Sequence, residues 1–176
     1  TNCAAAYDGE ASTPAAITLT AVAAAGCSFT GWGDACSAAG TSTTANVTMD
    51  VARTCSASFS INSYTVAGTV SGLNGSGLRL NLNAGGSNEF INVPSGATSF
   101  SFPAAILYGE RYTISVVEQP SSPPQTCTVS NATGVIPASN VTNVAVNCII
   151  NSYAVAGTVS GLNGSGLRLN LTVGGS

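Results

Sequence analysis

One stretch of this chain is written twice, and that repeat limits the fold more than any other feature. Residues 61–87 read INSYTVAGTVSGLNGSGLRLNLNAGGS, and residues 150–176 read INSYAVAGTVSGLNGSGLRLNLTVGGS. Twenty-four of the 27 positions agree at an offset of 89 residues, the changes being Thr65 to Ala154, Asn83 to Thr172 and Ala84 to Val173. Self-similarity at a fixed period points to one small unit stacked in tandem, with selection for stacking or length rather than for a single distinct site. The repeat divides the chain into region 1–60, a complete module at 61–149, and the first strands of a second copy at 150–176. The second copy stops at Ser176, so the chain is expected to end inside a module.

The middle module reads as all-β. Tyr64 to Val70 and Leu78 to Leu82 alternate apolar and polar residues with period two, and a Gly-rich turn, Ser71 to Gly77, lies between them. Further strands are expected at Glu89–Val93, Thr98–Phe102, Arg111–Glu118, Gln125–Ser130 and Val141–Cys148. Pro120, Pro123 and Pro124 break the chain before the sixth. Seven short strands in one module fit an immunoglobulin-like or transthyretin-like sandwich. Region 1–60 predicts strands near Cys3–Tyr7, Ala16–Ala23, Cys27–Trp32, Asn46–Met49 and Thr54–Phe59, and its first hairpin is expected to be missing.

Composition removes most chemistries. Charged residues make up 6% of the chain, against about 25% in an ordinary soluble protein. There is no His and no Lys. Imidazole acid–base work, the Ser-His-Asp triad, His-ligated metals, Schiff bases and the P-loop all fall away. Seven carboxylates scattered singly offer no glycosidase-type pair by spacing. A net charge of −3 leaves no basic footprint for nucleic acid. No apolar run reaches the length of about 18 residues that a membrane-spanning helix needs. Ala15 to Cys27 imitates a signal h-region, but Asp8 and Glu10 precede it where a positive n-region belongs. The reading is of a non-enzyme without a cofactor.

Gly26-Cys-Ser-Phe-Thr-Gly-Trp-Gly-Asp-Ala-Cys36, then Val47-Thr-Met-Asp50 and Thr54-Cys-Ser-Ala-Ser-Phe59, resembles the divergent internalin-B-type repeat. Residues 3–60 cover its last two-thirds. The middle module is similar to a repeat of exported bacterial surface proteins through Val66 to Leu73, Gln125 to Val129 and Val141 to Cys148. Both resemblances imply extracellular arrays of adhesins and surface fibres, secreted or held at a bacterial cell surface. Neither brings a catalytic residue.

Six Cys with no CxxC pair and no His read as disulfides rather than a zinc site. Cys127 and Cys148 stand alone in the middle module and are expected to pair. The four in region 1–60 leave three pairings open. Similar repeats often tie the Gly-Asp-Ala-Cys turn to the closing strand, so the resemblance favours Cys36 with Cys55, leaving Cys3 with Cys27.

Trp32, the only Trp, stands between Gly31 and Gly33. Core anchoring is the first expectation and sugar stacking the second. Asp8 and Glu10 flank a turn and offer too few oxygens for Ca²⁺. The expected function is a structural stalk or polymeric fibre whose partners are other copies of itself, with strand complementation between neighbours. The alternative is an adhesin recognising glycan or host surface protein through residues 104–111 or 31–44.

Overall fold

The computed structural model describes residues 15–173. Within them the protein is all-β. The first four strands are β1 (Ala15–Thr20), β2 (Cys27–Asp34), β3 (Thr44–Met49) and β4 (Cys55–Ile61). They form two separate antiparallel ladders, β1 with β3 and β2 with β4. The strand expected over Ala16–Ala23 stops at Thr20, and Ala21 donates its N–H to Thr43 O at 2.8 Å. The strand expected at Cys3–Tyr7 lies outside the described residues. Leu19, Cys36, Ala45 and Val47 make a small buried cluster, with Ile17, Trp32, Met49 and Cys55 packed against it.

After Asn62 come ten more strands. They are β5 (Ser63–Tyr64), β6 (Val66–Ser71), β7 (Leu78–Ala84), β8 (Ser87–Val93) and β9 (Ser99–Ser101). Then follow β10 (Ile106–Leu107), β11 (Arg111–Glu118), β12 (Gln125–Ser130), β13 (Thr133–Val135) and β14 (Val141–Ile150). Eight of them form two four-stranded sheets, ordered β13-β11-β7-β8 and β12-β14-β6-β9, while β5 and β10 make a short ribbon. The sequence predicts seven strands here; β10 and β13, two and three residues long, carry too little periodicity to be read.

Alternation decides what lies between the sheets. Leu78, Leu80 and Leu82 of β7 point inward with Val66 and Val70 of β6, and meet Phe100, Phe102, Tyr112, Ile114 and Ile136. Each fully buried Leu contributes about 1.5–3 kcal/mol relative to leaving it exposed. Gly68 is required by close approach, since a Cβ there would stand 2.2 Å from Val144 O and 2.8 Å from the Phe100 ring. That contact accompanies the parallel pairing of β6 with β14.

The second copy behaves differently. Residues 151–173 carry no strand. The sequence expects the first strands of a module there, because 24 of 27 residues repeat the segment that forms β6 and β7. The neighbours that β6 and β7 use, namely β14, β9, β11 and β8, are already paired with the first copy. Without ladder partners the second copy's apolar residues, Val155, Leu167, Leu169 and Leu171 among them, stay exposed.

Candidate functional site

The cysteines are the first group to locate. Cys36 is bonded to Cys55 across 19 residues, and Cys127 to Cys148 across 21. In the loop-entropy account, rings of this size stabilise by about 3 kcal/mol each. For the 15–61 unit, whose buried cluster holds four residues, that is a large share of what holds it folded. Cys27 is buried and disulfide-bonded. Cys3, which the sequence assigns to it, lies outside the described residues, as do Asp8 and Glu10.

Cys127 and Cys148 stand directly opposite each other on β12 and β14. Cys127 N–H donates to Gln119 Oε1 at 2.7 Å, and Gln119 Nε2 donates to Cys127 O at 3.1 Å. The backbone of Cys127 therefore faces away from β14, so the two cysteines form a non-hydrogen-bonded pair, the arrangement in which opposed side chains come closest. The same two bonds cover part of the outer edge of β12.

Gln125 is the residue that sequence reasoning misses. It is the buried polar side chain of the described core. Its Oε1 accepts the N–H groups of Asn74 at 2.8 Å and Gly75 at 2.6 Å, and its Nε2 donates to Gly72 O at 2.7 Å. Three backbone groups of a Gly-rich turn, otherwise stranded from any ladder, are satisfied by one amide. The sequence signal was a polar residue at an inward position of a strand, with only spacing to mark it.

Trp32 lies half-buried on β2. Its indole N–H donates to Ser42 O at 2.8 Å, and its ring meets Phe29 edge-on at 5.4 Å. Phe29 in turn meets Phe59 of β4 at 5.4 Å. The ring is thus committed to the packing of its own unit, and its polar handle is occupied. Tyr108, the aromatic residue of the 104–111 segment, packs against Gly26, where a Cβ would fall 2.1 Å from the ring. Both segments that could serve an adhesin have their aromatic residue engaged internally.

The outward face of β7, β8 and β11 holds a cluster of polar side chains. Arg79 donates to Glu118 at 3.1 Å and its guanidinium lies 4.7 Å from the Phe90 ring centroid. Asn81 and Asn83 both donate to Asn88 Oδ1, at 3.1 and 3.0 Å. Asn81 Oδ1 is left buried without a hydrogen-bond partner, and the cluster contains no nucleophile beside a base. Among the described residues no three His, Cys, Asp or Glu side chains converge to hold a metal. Asp50 is held below the ordinary carboxylate range by its hydrogen bond to Arg53, and burial raises the Tyr112 phenol. Neither stands beside a group it could activate.

Residues 2–63 match the family model of the divergent InlB B-repeat domain. That family is associated with bacterial surface proteins, so this part of the chain is similar to a bacterial surface repeat. The matched stretch runs through Asn62 and Ser63, past the end of β4. No curated protein and no solved structure matches the chain. No helix among the described residues is long and apolar enough to cross a membrane.

Proposed function

We propose that this chain is an extracellular structural segment in which tandem disulfide-stapled β units build a surface stalk or polymeric fibre. One observation carries the reading. A single residue, Asn62, separates β4 from β5, and the segment repeated from 61 resumes at 150, the last residue of β14. Units joined this closely leave little slack, as a load-bearing array needs and a swivelling adhesin tip does not. The low charge supports the same reading, because neutral Thr, Ser and Asn surfaces can pack side by side without repulsion. The partners of such a unit are other copies of itself, in the same polypeptide or in a neighbour.

Negative-stain microscopy of native material tests this. Extended thin fibres or stalks are expected, and separate compact particles at the cell surface would overturn it. Specific capture on a glycan array, lost on Trp32→Ala with folding intact, would move the reading to an adhesin.

A further inference from the structure

The two places where the Ile-Asn-Ser-Tyr tetrapeptide occurs follow strand pairs of unrelated sequence, yet they are built alike. At the first, Ile61 pairs with Cys27 across β4 and β2. Asn62 N–H then donates to Gly26 O at 2.8 Å, and Ser28 Oγ donates to Asn62 Oδ1 at 2.7 Å. At the second, Ile150 pairs with Gln125 across β14 and β12. Asn151 N–H donates to Pro124 O at 3.0 Å, and Thr126 Oγ1 donates to Asn151 Oδ1 at 2.7 Å. In each case the Asn backbone takes the residue facing it, and the Asn side chain takes a hydroxyl two residues further along.

At the first junction the following unit closes over this clamp. Tyr108 N–H donates to Asn62 O at 2.9 Å, β10 pairs Leu107 with Ser63, and the Tyr108 ring rests on Gly26. Asn62 is therefore bonded on one side to the unit before it and on the other to the unit after it. Gly26, at φ +72°, leaves the room that the ring fills.

We infer that this is an interaction surface: the Asn62–Tyr108 end of the 63–150 sandwich is a rigid coupling that accepts the closing strand pair of a preceding β unit. The partner it fits has a strand pair in which a glycine faces the Asn and a hydroxyl residue lies two positions beyond it. Within this chain β2 and β4 meet that description, with Gly26 and Ser28. The far end of the sandwich repeats the Asn clamp through Thr126 and Asn151, but Pro124 fills the room that Gly26 leaves, so the fitting partner is a unit of the 15–61 type. The joint stands on its own geometry; its use in setting the stiffness of a stalk rests on the reading proposed above.

Residual dipolar couplings on the full ¹⁵N-labelled chain test the joint. Amides of residues 15–61 and 63–150 are expected to fit one alignment tensor, and two tensors in the unmodified chain would overturn it. Tyr108→Ala and Gly26→Ala approach the contact from opposite sides, and each should split the single tensor into two while the strands of both units keep their amide shifts. Tyr108→Phe should keep one tensor, because the ring makes the contact; a single tensor surviving Tyr108→Ala would overturn the assignment.

For the far end, the Asn151 amide is expected to exchange about fivefold more slowly than the amides of 155–173, a difference Thr126→Val should remove. Equal exchange in the unmodified chain would overturn that half. A loose joint would leave a flexible stalk possible, and a chain that forms no fibres would leave the joint intact, so the two failures are distinguishable.

Discussion

Leu80 and Leu169 occupy the same place in two near-identical segments, yet Leu80 is 0% exposed and Leu169 is 80% exposed. Val66 and Val155 differ in the same way, at 0% and 79%. The glycines tell it from the backbone side. A Cβ on Gly72 would strike Cys148 O at 2.2 Å, whereas one on Gly161 would meet nothing. The residues are the same, so the difference lies in the neighbours. Residues 61–84 become β5, β6 and β7 because β8, β9, β10, β11 and β14 stand ready to pair with them. A period-two pattern supplies a face, and only another face makes it a core.

Substituting matched positions sharpens this contrast. The largest effect is expected from Leu80→Ala, which leaves a cavity between the two sheets and should cost about 2–5 kcal/mol in urea unfolding. Leu169→Ala, the same change in the other copy, should leave the midpoint unmoved. A comparable loss from both would mean that residues 155–173 are packed after all.

The next effect concerns the Gly-rich turn. Gln125 holds residues 72–75, while residues 161–164 have no such residue against them. Gln125→Leu strands three backbone groups and should cost about 1–3 kcal/mol. Amide exchange in residues 72–77 should then approach that of residues 161–166. Unchanged protection in the first turn would show that its glycines hold it without the amide.

The smallest effect belongs to the 15–61 unit. Arg53 depresses the carboxyl of exposed Asp50, so its contribution is present above the ordinary Asp range and fades as pH falls through the lowered value. Melting followed from neutral to acid pH should show only a slight decline from this source, absent in Asp50→Asn. A steep decline abolished by that change would mean the pair matters more than its exposure allows.

Much of this architecture was readable before any coordinates. β11 and β12 fall on the residues that alternation marks, because an inward apolar row and an outward polar row leave a plain period of two. β10 and β13 escaped because so few residues show no period, and β5 exists only through its pairing with β10. The candidate site was less legible. Trp32 could be singled out by its rarity, but nothing in the spacing gave Ser42 as the acceptor of its N–H. Gln125 and Asn62 gain their meaning from partners 50 and more residues away or across a unit boundary, which no local pattern encodes.

The pairing of β6 with β14 has a mechanical consequence. The chain enters the sandwich just before β6 and leaves it at the end of β14, and these two strands run parallel as neighbours in one sheet. Tension applied at the two junctions therefore slides one strand along the other. All five paired positions, from Val141 with Val66 to Asn147 with Ser71, take the load together instead of opening one after another like a zip. Should the sheet yield, the Cys127–Cys148 bond keeps the intervening loop out of the extended length, so the unit lengthens by less than its residue count would suggest.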